Sequence, residues 1–477
     1  MDFLNNIVDK EFFSVLLTWT EYFFVVYLAG YTTFLFVSMV VGSNHMFADI
    51  KKRQLHNQVK HDYYVPVSII VPAYNEEVTI EATIRSLLSL DYRIYEIIVV
   101  SDGSKDRTGE IVAERFGLHP VKRPIRRQVP CKNALSVYEG TGGNHVPIIL
   151  INKENGGKAD AINMGINASH YPYFVCMDAD SILQRDSLSK IATPVLENQN
   201  VVAVGSMIRI SNDSEFRDGK LVKFRLPKKL VPALQVLEYE RSFLASRVLL
   251  DKFNANLIIS GAFGLFKKDS VINIGGYAVG SMGEDMELIT RLHSYYRANR
   301  LPYQIKYAYD AVCWTQAPER LRDLMRQRKR WHTGLIESLT RHTRLFSFGS
   351  YIYYLLYELL SPLIALYGLF VTALAFALGM GNVKTMVVLY VVYALFGSFL
   401  TLISFLTRSF LSTDAHISLK DALRAFLLCI PENMFVRIVM EWVRLRATLT
   451  FHRKKSNWGR IERKQINYSS SDTNPPA

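Results

Sequence analysis

The stretch Tyr173-Phe174-Val175-Cys176-Met177-Asp178-Ala179-Asp180 joins a short apolar run to two carboxylates spaced i, i+2. The run is β-branched and aromatic, the pattern of a strand covered on both faces. Asp178 and Asp180 alternate along an extended backbone with small Ala179 between them. At a strand's carboxyl end, such a pair can hold a metal that bridges carboxylate and diphosphate. A D-x-D triplet alone is commonly a solvated turn; its place after a buried-type strand gives it weight.

Upstream, the same arrangement repeats. Residues 65–71 form a β-branched run ending in Pro72, and residues 96–100 form another, ending in Ser101-Asp102-Gly103-Ser104. Between them, 77–90 reads as an amphipathic helix. Residues 147–152 are a third strand, followed by the polar segment 153–158 and a helix over 158–168. Strand, helix, strand at this spacing is a right-handed parallel unit, whose ligand crevice lies outside the carboxyl ends of its strands. Four successive strand ends therefore present polar chemistry along one edge. Asp102 can hydrogen-bond the base or ribose of a nucleotide, or cap the helix that follows it. Gly156-Gly157-Lys158 offers backbone donors and an ammonium to phosphate, without the spacing of a Walker loop. The Pro-, Gly- and Arg-rich segment 116–146 reads as an inserted loop with no assigned role.

Downstream come Gly283-Glu284-Asp285 and Gln327-Arg328-Lys329-Arg330-Trp331. Asp285 stands before an apolar helix pattern, where it can cap the helix or act as the general base that takes a proton from an attacking hydroxyl. The pentad lies on an amphipathic helix expected over 319–339. Residues i and i+3 share a face, so Gln327 and Arg330 can point together at a diphosphate, while Trp331 offers a flat surface to a sugar ring.

The 477 residues are 49% hydrophobic, carry a formal net charge of +13 and have a pI near 9.4. Several basic clusters flank apolar segments, where retention on the cytoplasmic side accounts for them; nucleic acid is not expected as a partner. The four cysteines show no C-x-x-C spacing and read as buried thiols of a reducing compartment. Residues 22–41 are long and apolar enough to span a bilayer, and the acids before them exclude a signal peptide. Lys51-Lys52-Arg53 follow, placing the N-terminus outside. Two further spans are expected over 351–378 and 385–406, joined around Gly379-Met380-Gly381-Asn382. Glu358 in the first of them faces protein or snorkels to the interface.

Six motifs in order, from Val71-Pro72-Ala73-Tyr74-Asn75-Glu76-Glu77 through Ser101-Asp102-Gly103-Ser104, Asn155-Gly156-Gly157-Lys158-Ala159-Asp160, the D-x-D triplet, Gly283-Glu284-Asp285 and the Q-x-x-R-W pentad, resemble the family-2 glycosyltransferases. The likeness covers about 65–331 and is to the membrane-embedded synthase branch, most of all the poly-N-acetylglucosamine synthase type. The resemblance implies an α/β fold of the GT-A kind, Rossmann-like with a mostly parallel sheet, flanked by transmembrane and interfacial helices. It implies a UDP-sugar donor, Mg2+ or Mn2+, and a single displacement giving a β-linkage. By position, Ala73, Tyr74, Glu76 and Asp102 would hold the uridine part and Lys158 the diphosphate. Asp178 and Asp180 would serve donor and metal, Asp285 beside Glu284 would be catalytic, and Gln327, Arg330 and Trp331 would close the donor and acceptor site. Many polysaccharide synthases carry Thr where this chain has Gly283, so a hydroxyl beside the base is absent.

The expected organisation is a transmembrane helix in 1–45, a cytoplasmic catalytic domain in 46–318, an amphipathic interfacial helix in 319–348 and two spans in 349–408. A re-entrant or interfacial piece follows in 409–452, then a basic and disordered tail in 453–477. The function expected is a multi-pass plasma-membrane transferase elongating a β-glycan at the cytoplasmic face. Three spans are few for a polysaccharide channel, which calls for a small membrane partner subunit or self-association. The alternative is a non-processive transferase adding one or a few sugars to a lipid.

Overall fold

Apolar β-branched runs separated by amphipathic helices fold here into one large sheet with helices against it. The computed structural model describes residues 10–56, 64–217, 220–343, 345, 349–379, 383–411, 417–452 and 468–469. The strands are β1 Val67–Ala73, β2 Tyr95–Asp102, β3 His119–Pro120, β4 Ala134–Thr141, β5 Pro147–Lys153, β6 Tyr173–Met177 and β7 Ile182–Leu183. They continue with β8 Val201–Ile210, β9 Glu215–Arg217, β10 Lys220–Lys223, β11 Phe263–Lys267, β12 Gln304–Thr315 and β13 Tyr468–Ser469. The helices used below are α1 Lys10–His56, α2 Ile80–Leu88, α3 Lys158–Ala168, α4 Leu230–Arg241 and α5 Glu284–Ala298. After them come α6 Leu321–Arg341, α7 Ser361–Ala377, α8 Val383–Leu411, α9 Leu419–Pro431 and α10 Arg437–Leu449.

The main sheet runs β3-β4-β5-β2-β1-β6-β11-β8-β12-β7. Its centre, β5-β2-β1-β6, is parallel throughout. These are the four strands read from the sequence, in adjacent positions. Around them, β3-β4, β4-β5, β6-β11, β11-β8 and β12-β7 pair antiparallel. The sheet is therefore mixed, where a mostly parallel one was expected. The antiparallel strands lie in segments whose periodicity carried no direction. The insertion at 116–146 supplies β3 and β4, which extend the sheet by one edge.

Each parallel strand is buried because a helix covers it. In α2, Ile80, Ile84 and Leu87 recur on one face and are fully buried. Helix α3 is buried along nearly its whole length. The polar ends of the strands are then joined below the surface by one ammonium. Lys153 Nζ lies 2.6 Å from Asp102 Oδ1 and 2.5 Å from Asp160 Oδ1, and it donates to the Glu154 carbonyl at 2.6 Å. All three side chains are almost wholly buried.

Among the described residues, two helices are long and apolar enough to cross a membrane, with windows at Glu11–Asn44 and Tyr390–Arg408, and the pair Tyr351–Leu359 and Ser361–Ala377, bent by 45°, makes a third if it is one span. Thr20 Oγ1 lies 2.8 Å from the Tyr367 hydroxyl, and Phe13 and Leu17 pack with Val371 and Ala375, so α1 runs along α7. Glu358 sits at the bend and lies 3.7 Å from Arg444 on α10, facing protein. Helices α9 and α10 are joined through a π-helical turn at Glu432–Val436, whose buried Glu432 pairs with Arg241 at 2.8 Å. Of the expected turn at 379–382, residues 380–382 lie outside the described residues, as does the tail from 453 onward apart from β13.

Removing the Lys153 ammonium leaves two buried carboxylates facing each other. Lys153→Met is expected to cost about 3 kcal/mol or more of stability, and Lys153→Met with Asp160→Asn less. Urea unfolding of the detergent-solubilised protein, followed by tryptophan fluorescence, measures this; a single variant as stable as the parent contradicts it.

Candidate active site

The carboxyl edge of β5-β2-β1-β6 gathers the motifs that the sequence spreads over 250 positions or so. Ala73 ends β1, and the loop after it, with Tyr74 exposed and Glu76 buried, is laced to the loop after β2. Asn75 Oδ1 accepts from the Lys105 amide at 2.8 Å, and the Glu76 amide donates to Thr108 Oγ1 at 2.9 Å. Thr79 Oγ1 donates to Glu76 Oε2 at 2.8 Å. Asp102 is the last residue of β2 and its carboxylate is spoken for. Oδ1 accepts from Lys153 and, at 2.9 Å, from the Gly156 amide; Oδ2 accepts from the Gly157 amide at 2.7 Å. The two glycine amides read as phosphate donors are thus committed to Asp102. Asp102 does not cap the next helix either: Asp106 accepts from the Thr108 amide there.

Lys158 opens α3 and reaches across the edge. Its Nζ lies 2.5 Å from Asp178 Oδ1 and 3.8 Å from Glu284 Oε1. Burial pulls this ammonium toward neutrality, but Asp178 and then Glu284 outweigh burial and hold it charged, above its ordinary range. Burial pushes Glu284 above the usual carboxylate range; Lys158 opposes that shift and Asp285 adds to it. Arg330 lies within electrostatic reach of Glu284. The loop carrying Asp178 and Asp180 is pinned to α2, since Thr83 Oγ1 donates to the Ala179 carbonyl at 2.7 Å.

Asp285 is half-buried in the first turn of α5, one residue past its start, and the N-cap position is held by Gly283 with no side-chain cap. The capping alternative therefore falls on the wrong residue. Within that turn Asp285 Oδ1 accepts from the Met286 amide at 2.8 Å, and Oδ2 accepts from the Gly261 amide at 3.3 Å. A Cβ at Gly261 would stand 3.1 Å from Lys158 Nζ and 3.8 Å from Asp285 Oδ2, so this glycine keeps the space between ammonium and acid open. Sequence reading missed Gly261; its signal was the Ser260-Gly261 pair just before a strand.

The pentad helix α6 lies directly against this acid. A Cβ at Gly334 would fall 2.7 Å from the Gly283 Cα, and one at Gly283 would fall 2.9 Å from the Gly334 Cα. Backbone meets backbone, which is why no larger residue stands at 283. The contact is held by Glu337, whose Oε2 accepts from the Met282 amide at 3.2 Å. Gly334 was also missed, although a glycine inside an amphipathic helix costs about 1 kcal/mol and so marks a close approach. Within the pentad, Gln327 and Arg330 are half-buried and Trp331 is 41% exposed. Arg328, which the pattern leaves free to vary, is buried: it pairs with Glu238 at 2.7 Å and its Cζ lies 4.3 Å from the centre of the Trp331 ring. Trp331 thus has one supported face.

Among the described residues, no three His, Cys, Asp or Glu side chains converge as a metal cage. Two carboxylates on one turn, one of them ion-paired to Lys158, suit an ion that completes its shell with phosphate oxygens and water. That is the habit of Mg2+ at nucleotide sites. The residues present fit the implied group.

A sheet edge of this kind, bearing nucleotide-type loops, a carboxylate pair and an acid under an amphipathic helix, defines a sugar-nucleotide transferase domain joined to membrane helices. The chain belongs to glycosyltransferase-like family 2, whose model matches residues 65–334. It is 29% identical over 319 residues to a poly-β-1,6-N-acetyl-D-glucosamine synthase of Staphylococcus epidermidis. It is 29% identical over 321 residues to one of Staphylococcus aureus strain COL. Each match covers 66% of this chain and 66% of the relative, so the chain spans about two thirds of the length of the curated relatives it matches. A mannosyltransferase of Pyrobaculum calidifontis, PcManGT, solved with GDP-Man and Mn2+, has a similar fold: TM-score 0.53 at 18% identity, over 88% of this chain and 98% of that one. The architecture is GT-A-like.

Two outcomes test this geometry. Gly283→Thr adds a hydroxyl beside Asp285, yet its Cβ must displace Gly334. Both Gly283→Thr and Gly334→Ala are expected to lower kcat by about tenfold to a hundredfold, through misplacement of Asp285 against α6. Steady-state UDP release reads this, and an unchanged kcat in both variants contradicts the backbone contact.

The second outcome concerns pH. Burial pushes His293 on α5 down to about 4 and His332 on α6 down to about 3, so both stay neutral in the fold. Their contribution to stability is full above the unfolded value of about 6.5 and is lost as pH falls toward 4, at about 1.4 kcal/mol per pH unit for each histidine. Thermal unfolding between pH 7 and 4 checks the slope, which His332→Gln is expected to flatten; an identical slope in that variant rules His332 out.

Proposed function

We propose that this protein is an inverting membrane glycosyltransferase that adds sugars from a UDP-sugar to a growing β-linked polysaccharide at the cytoplasmic face. The observation that carries the reading is the convergence of Asp178, Lys158, Glu284 and Asp285 at one strand edge beneath the pentad helix. The relatives' names, synthases of poly-β-1,6-N-acetyl-D-glucosamine, support UDP-N-acetylglucosamine as the first donor to try.

In this mechanism the uridine part rests against Ala73, Tyr74 and Glu76, on the loop that Asp102 and its neighbours hold in shape. Lys158, Gln327 and Arg330 face the diphosphate. A divalent metal on Asp178 and Asp180 supplies charge neutralisation there when bound. The acceptor hydroxyl, with its sugar stacked on Trp331, forms a bond to the anomeric carbon as the bond from that carbon to the diphosphate oxygen breaks. The electron pair leaves with UDP, and Asp285 takes the hydroxyl proton. Attack opposite the leaving group inverts the anomeric centre. Glu284, held partly against ionisation, limits repulsion beside the base.

Processive elongation is favoured over a lipid-linked single addition by the relatives' names, which are those of polysaccharide synthases; the region beyond Trp331 is the path such a chain would meet. Arg444, within electrostatic reach of Glu238, pairs with Glu358 and Glu441. From there, tyrosine rings line the seam between the apolar helices: Tyr357 lies 5.0 Å from Tyr27 and 5.2 Å from Tyr31, and Arg437 covers Tyr31 and Tyr393. These rings pack on one another, and the cavity they share with Arg241 and Arg437 is only about 10 Å3, so passage of a glycan there requires the helices to part. Lys51-Lys52-Arg53, in the last turns of α1 beyond its apolar window, support a cytoplasmic domain with the N-terminus outside.

The test is UDP release from purified protein across UDP-N-acetylglucosamine, UDP-glucose, UDP-galactose and UDP-glucuronic acid, with product length measured in parallel. Release is expected with one donor, abolished by chelation and lowered by at least about a hundredfold in Asp285→Asn. Undiminished release in Asp285→Asn removes the base, and products of only one or two sugars remove processivity.

A further inference from the structure

The segment Val121–Lys132 carries five cations, Lys122, Arg123, Arg126, Arg127 and Lys132, and no acid. It does not lie flat on the surface. Together with β4 it walls a cleft of about 610 Å3, into which Lys122, Arg123 and Arg127 contribute charge and Asn133 and Ser136 contribute polar groups. Met164 of α3 and Val137 of β4 close the bottom, and Leu135 at the mouth is 68% exposed.

The walls are built. The amides of Gln128 and Val129 donate to Asn167 Oδ1 at 2.8 and 2.9 Å, and the Lys132 amide donates to Asp160 at 3.1 Å. Arg123 is fixed by Glu139 at 2.5 Å, and Arg127 donates to Asn133 Oδ1. Among the described residues, Glu139 is the acid ion-paired with a cation of the cleft lining, and it answers Arg123, leaving Lys122 and Arg127 without a carboxylate partner. A concave basic surface with a low-dielectric floor concentrates anions. The volume is that of a pocket for a molecule of nucleotide size, and exposed Leu135 offers an apolar surface to a ring beside the charges.

We propose that this cleft is a second anion site, separate from the donor site, which takes a soluble phosphorylated ligand of nucleotide size. Its position argues for a soluble ligand over a lipid headgroup. Strands β3 and β4 form one edge of the sheet, while Arg408 of the membrane helix α8 meets Glu240 of α4, beside Arg209 of β8, toward the other. The segment that walls the cleft also touches the donor loop, through Lys132 between the lining residues Cys131 and Asn133. Lys132 Nζ donates to the Asn155 carbonyl at 2.5 Å, and its amide holds Asp160, the partner of Lys153. A ligand drawn onto this wall acts on the segment that presents Lys158.

The experiment uses full-length protein in detergent with UDP and Mg2+ saturating the donor site, and ATP as the probe, titrated by calorimetry. ATP is expected to bind with UDP in place. Binding is expected to weaken by at least about tenfold when two charge-assisted contacts are lost in the double variant Lys122→Ala, Arg127→Ala, with UDP affinity unchanged. A parallel arm measures flotation with vesicles of phosphatidylcholine alone or with phosphatidylinositol phosphate. ATP binding that UDP abolishes, or that the double variant retains in full, overturns the proposal. So does flotation that requires Lys122 and Arg127 while ATP does not bind, which assigns the cleft to a lipid headgroup. None of these readouts needs turnover, so they stand or fall apart from the transferase reading.

Discussion

The ammonium of Lys153, sealed between Asp102 and Asp160, is the interaction on which the edge of the sheet depends. Three charged groups at the end of β5, the end of β2 and the first turn of α3 would each be intolerable alone in a buried place. Together they bind the ends of two neighbouring strands to the helix that follows. Asp102 then has oxygens left for the Gly156 and Gly157 amides, which folds that loop tight and sends Lys158 outward toward Asp178. Two motifs that look like separate ligand contacts in the sequence are one structural knot with a single reaching group. Asp102 shapes the loop that follows β5.

A second constraint acts at the other side of the acid. Gly283 and Gly334 meet backbone to backbone, and Glu337 fastens the contact through the Met282 amide. The helix that carries Gln327, Arg330 and Trp331 is thereby registered against Asp285 to within a side chain's width. The absence of a side chain at 283 follows from that approach, since any side chain there would push α6 away. What a bare backbone at 283 signals is tight docking of α6 beside Asp285.

How much of this was legible in the chain can be argued from particular residues. The four parallel strands and helix α3 were readable because β-branched runs and 3.6-residue spacing are local signals, and 158–168 matches α3 at both ends. The antiparallel strands were not, because pairing direction is set by partners far away in sequence: β11 sits between β6 and β8 only once the fold has formed. The polar motifs announced a nucleotide-sugar edge, but their inner bookkeeping stayed hidden. Nothing in Gly156-Gly157 says that its amides face Asp102 and not a phosphate. Lys153, one residue beyond a predicted strand, looked like part of a polar loop and is among the most buried side chains of the chain. The insertion at 116–146 had no periodicity to betray two strands and a cleft.

The membrane helices are not loosely tethered to this edge. Arg408 of α8 is fully buried and lies 3.2 Å from Glu240 Oε1, which is also 3.4 Å from Arg209 on β8. Arg209 is paired with Trp314 of β12, and Trp314 in turn with Ile182, two residues past Asp180. One carboxylate answering two buried guanidinium groups is a poor source of net stability, but separating its partners would strand a charge in an apolar setting at about 3–5 kcal/mol. Such a cluster resists sliding of α8 against the sheet. On the far side, Arg241 joins α4 to Glu432 between α9 and α10. Sheet, pentad helix and membrane helices therefore form a frame with charge locks at both seams. In the proposed synthase, the sheet edge and the pentad helix then hold their register while the glycan moves, and the closed, tyrosine-packed seam between the apolar helices must part for a chain to pass.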